Sequence, residues 1–292
     1  MKKRVFVVLF MLGLCYLLIK IQPILQENVK IQSLRQTYNS DSSQRLVSQN
    51  TSEMQVDRSQ IYQGNLLLVN RQFPVRQESV RTDIVNLFDY PDLMQGYGVY
   101  DRNIRLSEEV AQRFIDMVAA ASKDGVNNFL ISSGYRDFEQ QDVLYEEMGS
   151  EYALPAGNSE HNLGLSLDVG STQSKMSEAP EGRWIEKNAW KYGFILRYPK
   201  DKIDITGIAY EPWHIRYVGL PHSAIMHEKN FVLEEYISFL QEEGRISAEV
   251  AGKKYTVTYY PKSHNKTVEL PGSKEYELSG DNEGGLIMTV QE

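Results

Sequence analysis

The chain has 292 residues, 41% of them hydrophobic and 24% charged, with a formal net charge of −8 and a single Cys. That composition suits an ordinary apolar core and leaves no role for a disulfide framework. The acidic balance argues against nucleic acid, which needs a basic surface, and no phosphate loop or basic-aromatic stripe is present.

Lys2, Lys3 and Arg4 precede an apolar run from Val5 to Ile19. As a helix that run spans about 22 Å, short of the roughly 30 Å of a bilayer's hydrocarbon core, but Lys20 can snorkel to the interface. No small-x-small cleavage pattern follows, and Leu12-Gly13-Leu14 lacks the small residue expected before a lipidated cysteine at Cys15. The expectation is an uncleaved single-pass anchor over residues 1–21, with its basic end cytoplasmic and the rest of the chain extracytoplasmic. Residues 22–60 turn polar, rich in Gln, Ser and Asn, and read as a stem.

Residues 61–245, about 185 in number, are enough for one catalytic domain. Leu66 to Val69 reads as a strand. Ser107 caps a helix whose Val110, Phe114, Met117, Val118 and Ala121 form one apolar stripe. Phe129 to Ser132 reads as a buried strand, and Asp137 with Gln140 makes a capping box for a helix ending near Gly149. Trp184 to Tyr192 is predicted helical, and Phe194 to Arg197 returns as a strand. This order predicts an α+β fold, with helices packed on a mostly antiparallel sheet. From residue 246 to 292 short β-type runs (Val250, Tyr255 to Tyr260, Thr267 to Leu270, Leu286 to Val290) alternate with Pro, Gly and Asn. They predict a small β extension that binds the wall, covers a sheet edge, mediates pairing or simply packs.

Two segments carry the chemistry, Ser159-Glu160-His161-Asn162-Leu163-Gly164-Leu165-Ser166-Leu167-Asp168 and Glu211-Pro212-Trp213-His214-Ile215-Arg216-Tyr217. Zinc takes Cys, His or carboxylate ligands, and Cys15 lies in the apolar N-terminal run, so a site must draw on five histidines and the carboxylates. A catalytic zinc needs three protein ligands and a fourth position for water. His161, Asp168 and His214 meet that requirement. The chain must reverse between His161 and Asp168, and Gly164 is the residue that tolerates such a turn. After it Leu165, Leu167 and Val169 alternate with Ser166 and Asp168, as on a strand. Trp213, Ile215 and Tyr217 alternate with His214 and Arg216 in the same way, which places Trp213 in the core. A bend at Pro212 is expected to bring Glu211 beside the same ion. His222, His227 and His264 have no partner at useful spacing and read as surface or packing residues.

These motifs, S-x-H-x-x-G-x-x-x-D followed by E-x-W-H, resemble those of the VanY and VanX type zinc D,D-carboxypeptidases. The resemblance runs from about Asn65 to Leu220 and takes in Ser133-Gly134-Tyr135-Arg136 and Tyr192-Gly193-Phe194-Ile195-Leu196-Arg197-Tyr198. It implies a hedgehog/DD-peptidase-like fold and Zn2+ held by His161, Asp168 and His214. It also implies Glu211 as general base, Arg136 as stabiliser of the oxyanion, and Ser159 in contact with the substrate's terminal D-alanine. Ser166 stands where relatives usually carry Ala, a change expected to matter little. Asp137 and Glu139 compete as local partners for Arg136, and Arg136 and Arg216 are expected to offer positive charge to a terminal carboxylate.

The expected function is removal of the terminal D-Ala from peptidoglycan stem peptides ending in D-Ala-D-Ala, a reaction that serves glycopeptide resistance and uses no serine nucleophile. L,D-carboxypeptidase and wall endopeptidase activities use the same chemistry and stay open. A non-catalytic wall-binding module shares the fold, but a structural zinc has no need of Glu211. The expected partners are the stem peptide and, through the anchor, the membrane; no protein partner is legible.

Overall fold

The computed structural model describes residues 29–35, 52–149, 153–262 and 267–292. The predicted anchor over residues 1–21 and His264 lie outside them. Among the described residues no helix is long and apolar enough to cross a membrane.

In chain order the strands begin with β1 (Lys30–Ser33), β2 (Ser52–Gln55), β3 (Ile84–Asn86), β4 (Gly98–Val99) and β5 (Arg105–Ser107). Helix α1 (Glu108–Lys123) follows, with the Ser107 hydroxyl accepting from Val110 N–H and all five residues of the predicted stripe buried. Strand β6 (Phe129–Ser133) leads to α2 (Phe138–Met148), which starts on the Asp137/Gln140 capping box and stops at Gly149. Strand β7 (Ser166–Ser171), α3 (Pro180–Asn188), a 3₁₀ turn (Ala189–Tyr192), β8 (Phe194–Leu196), the short α4 (Ile203–Thr206) and β9 (His214–Tyr217) come next. The remainder comprises α5 (His222–Lys229), α6 (Leu233–Glu243), β10 (Arg245–Val250), β11 (Lys253–Tyr260), β12 (Thr267–Leu270), β13 (Tyr276–Gly280) and β14 (Leu286–Gln291). Of these, β13 escaped the sequence reading because only Tyr276 and Leu278 carry its apolar alternation before Gly280, too short a run to stand out.

The fold is mixed α+β. One five-stranded sheet has the order β4-β6-β7-β9-β8, antiparallel except for the β4–β6 pair, and α1 packs on it. A second, all-antiparallel sheet has the order β1-β10-β11-β14-β13, with α6 against it. β1 and β2 therefore lie within the region 22–60 expected as a stem. Each finds a partner near the far end of the chain: β1 pairs with β10, and β2 pairs with β12. Local composition is polar there because these strands sit on sheet edges.

Leu66 to Val69 departs from prediction in the opposite sense, since it is buried but belongs to no sheet. Leu67 and Val69 enter the core under the first sheet, while Leu66 and Leu68 enter the core under the second. Side chains replace the missing ladder: Ser279 Oγ accepts from Leu66 N–H at 2.8 Å, and Asn282 Nδ2 donates to Leu68 O at 3.0 Å. Leu68 N–H also donates to Asp281 O at 3.1 Å, and Leu67 O accepts from Arg216 Nη2 at 3.0 Å, so these backbone groups are satisfied without a strand neighbour.

His222 ties α5 to α6 and to the second sheet. Its ring nitrogens meet Tyr236 Oη of α6 at 2.7 Å and Thr289 Oγ1 of β14 at 2.9 Å. Burial pushes its pKa down from 6.5 to about 3. Its folded pKa lies below its unfolded value, so the stability it contributes is complete above pH 6.5 and is lost as pH falls towards 3. At about 1.4 kcal/mol per unit the loss amounts to a few kcal/mol. The urea midpoint should fall between pH 7 and pH 4.5 by more in the wild type than in His222→Gln; equal losses would remove His222 as the cause.

Candidate metal centre and catalytic site

Strand pairing builds the site. β7 and β9 are antiparallel neighbours, and Asp168 and His214 are cross-strand partners. His161 arrives from the 3₁₀ turn Glu160–Asn162, where the Ser159 hydroxyl accepts from His161 N–H. The reversal between the two comes at Gly164, with φ +84°, where a Cβ would also meet Ile84 Cδ1 at 2.3 Å. The backbone conformation is what favours glycine, since the Ile84 methyl could shift aside.

The three candidate ligand atoms of His161, Asp168 and His214 lie within 4.8 Å of one another. His161 Nε2 is 3.3 Å from Asp168 Oδ2, and His214 Nδ1 is 3.0 Å from Asp168 Oδ1. Ligands at about 2.0–2.2 Å from a tetrahedral zinc stand a little over 3 Å apart, so the spacing fits that ion. The outer nitrogens are arranged to suit it. His161 Nδ1 lies 2.6 Å from Gly134 O, a carbonyl that can only accept, so the proton sits on Nδ1 and Nε2 keeps its lone pair. His214 uses the opposite nitrogens: Nδ1 faces the cluster, and Nε2 is 3.5 Å from Glu160 Oε2.

Electrostatics without the ion agree with this geometry. Burial raises the Asp168 carboxyl, but the His161 and His214 imidazoles override it and hold Asp168 far below the usual carboxylate range. Burial lowers His214, and the carboxylates of Asp168 and Glu160 carry it up to about 9. Carboxylate density of this kind attracts a cation; a proton stands in for one when none is bound.

Pro212 opens the turn as expected, with His214 N–H donating to Glu211 O, and brings Glu211 Oε2 within 3.8 Å of His214 Nδ1. Burial raises the Glu211 pKa, His214 lowers it, and the charge on Asp168 raises it further. Arg136 is tied to the same locus by its backbone, donating N–H to His161 O and accepting from Asn162 Nδ2 at its carbonyl. Its Nε is buried without a hydrogen-bond partner, and its side chain feels Asp168 and Glu211. Asp137, the competing local partner, is bound by Arg105 at 2.9 Å instead.

Two expectations need correction. Trp213 is 42% exposed, because it belongs to the turn before β9, whose buried residues begin at His214. Arg216 is fully buried and cannot meet a substrate: it donates to Glu160 Oε1 and to the carbonyls of Asn65, Leu67 and Tyr217. His222 is the packing residue expected, and His227 stacks on Trp190 at 4.7 Å. Glu160, a buried carboxylate between Arg197 and Arg216, was missed. The available signal was two arginines with apolar or aromatic neighbours on both sides, Leu196 and Tyr198 for Arg197 and Ile215 and Tyr217 for Arg216, which need a counter-charge once buried.

The family model described as VanY, D-alanyl-D-alanine carboxypeptidase, matches residues 103–220. A D-alanyl-D-alanine carboxypeptidase of Enterococcus faecium is 57% identical over 291 residues, covering 99% of this chain and 96% of that protein. Among solved structures, the vancomycin resistance D,D-dipeptidase VanXYg, in complex with a D-Ala-D-Ala phosphinate analog, superposes with a TM-score of 0.72 at 30% identity, covering 83% of this chain and 99% of that one. The LdcB LD-carboxypeptidase superposes with a TM-score of 0.52 at 30% identity, covering 64% of this chain and 94% of that one. With near-complete coverage at that identity, and with both sequence motifs converging on one cluster, the chain belongs to the VanY family of D-alanyl-D-alanine carboxypeptidases.

Proposed function

We propose that the chain is a zinc-dependent D,D-carboxypeptidase that removes the terminal D-Ala from peptidoglycan stem peptides ending in D-Ala-D-Ala, and so contributes to glycopeptide resistance. The observation that carries this reading is the convergence of His161, Asp168 and His214 with Glu211 Oε2 only 3.8 Å from His214 Nδ1. A structural ion would gain nothing from a fourth, raised-pKa carboxylate at that position.

His161 Nε2, an Asp168 oxygen and His214 Nδ1 would hold the zinc. Bound there, zinc supplies Lewis acidity, polarising the scissile carbonyl and bringing the pKa of a coordinated water to about 7. Glu211 takes the proton from the attacking water and returns it to the amine of the departing D-alanine. The unpartnered edge of the Arg136 guanidinium donates to the oxygen of the scissile carbonyl as negative charge develops on it. The Ser159 hydroxyl accepts from His161 N–H, which leaves its own proton to donate to the terminal D-alanine. Residues 1–21 anchor the chain in the membrane, single-pass, with the catalytic domain on the extracytoplasmic side.

An L,D-carboxypeptidase is the second reading, favoured by the likeness to LdcB. The full chain, incubated with a muramyl pentapeptide ending in D-Ala-D-Ala and followed by mass spectrometry, should release one alanine, and a chelator should stop it. Release from a tetrapeptide but not from the pentapeptide would transfer the assignment to the L,D activity. No release from either would end the peptidase reading.

A further inference from the structure

We infer that Glu160, tempered by Ser166, is a positioning residue that sets which nitrogen of His214 faces the metal; the inference rests on the zinc reading above. Glu160 is 1% exposed and makes its contacts with both oxygens. Oε1 accepts from Arg197 Nε and from Arg216 Nη1, each at 2.8 Å. Oε2 accepts from Ser166 Oγ at 3.1 Å and stands 3.5 Å from His214 Nε2.

Stability alone is a poor reason for this cluster. Burying one carboxylate with two guanidiniums costs more desolvation than well-packed apolar side chains would, and such clusters persist where they specify an arrangement. The arrangement here is His214. Its Nδ1 faces Asp168 and Glu211, so a metal there requires the ring's single proton to be on Nε2. His214 Nε2 is buried without a hydrogen-bond partner among the described residues, and the acceptor that faces it is Glu160 Oε2 at 3.5 Å. The carboxylate can only accept; it therefore selects the Nε2–H form, as Gly134 O selects the Nδ1–H form of His161.

Ser166 is the cross-strand partner of Arg216, and its hydroxyl occupies the same oxygen that faces His214. By donating to Oε2 it weakens that oxygen's pull on the His214 proton. The expectation that a hydroxyl in place of the usual Ala has little consequence is thereby refined: it acts on the ligand through Glu160.

Glu160→Gln reverses one half of this geometry. The amide oxygen keeps the two arginine bonds, and the amide NH₂ then confronts His214 Nε2–H, so the ring is driven to carry its proton on Nδ1. The full chain, its Glu160→Gln and its Ser166→Ala variants would be compared by zinc competition against a chromophoric chelator, well below their unfolding temperatures. Histidine-¹⁵N NMR of the zinc-loaded proteins would report the tautomers. Glu160→Gln should bind zinc about 10- to 100-fold more weakly, the range for outer partners of metal-bound histidines. Ser166→Ala should move the His214 Nε2–H proton downfield. A folded Glu160→Gln chain with wild-type zinc affinity and only a lowered melting temperature would make Glu160 merely structural. If that variant does not fold, Ser166→Ala decides, and an unchanged Nε2–H resonance overturns the inference. Wild-type cleavage of a D-Ala-D-Ala peptide is read separately, so either idea can fail without the other.

Discussion

Glu211→Gln is expected to lower kcat on a D-Ala-D-Ala peptide by about 10²- to 10⁴-fold, the usual worth of a positioned acid-base group, while zinc remains bound. The amide preserves size and the turn, because the turn depends on backbone contacts: Glu211 N–H donates to Tyr198 O at 3.0 Å and Glu211 O accepts from His214 N–H at 3.2 Å. What disappears is the ability to take a proton. Burial and the charge on Asp168 both raise the Glu211 pKa towards that of a group that can release the proton again, and Gln has no such cycle. KM should change much less than kcat, since the carboxylate acts on the reacting atoms. Zinc content by atomic absorption and kcat from alanine release make the test; a variant within tenfold of wild type would mean that another group is the base.

Ending the chain at Arg245 is expected to abolish cooperative folding, not to trim an accessory. Leu233, Tyr236, Ile237 and Leu240 of α6, together with Leu66 and Leu68, are all buried in one core with Ile246, Ala248, Val257 and Ile287. Uncovering six such side chains at about 1.5–3 kcal/mol each costs as much as the roughly 5–15 kcal/mol by which domains are stable. The damage also travels. Ser279 and Asn282 hold residues 66–68, whose neighbouring carbonyls at Asn65 and Leu67 hold Arg216, which holds Glu160 behind His214. Circular dichroism melting and zinc titration of the truncated chain would check this; a cooperative melt with intact zinc binding would make residues 246–292 dispensable.

Sequence reasoning reached the metal cluster because its information is local. Ser159 to Asp168 contains two candidate ligands, the turn at Gly164 and the strand that aims the carboxylate, while Glu211 to His214 contains the third candidate ligand and the proposed base. The helices were legible for the same reason: the Ser107 cap and the Asp137/Gln140 box each lie within one turn of what they stabilise. Glu160 was not legible because its partners Arg197, Arg216 and Glu234 come from three other elements, and spacing says nothing about charges that meet only after folding. Trp213 was misplaced because period-two alternation was extended one residue before β9 begins.

The pairing of β1 with β10 and of β2 with β12 also dictates an order of events. Strands made among the first 55 residues have their partners after residue 244, so they wait, unpaired, for nearly the whole chain to be synthesised. Long-range contacts of this kind slow folding and leave strand edges open to misassembly meanwhile. Closing them last would clasp the segment nearest the N-terminus to the C-terminal sheet, so that a chain cut short or nicked near its end is left with a zinc site whose supports never latch.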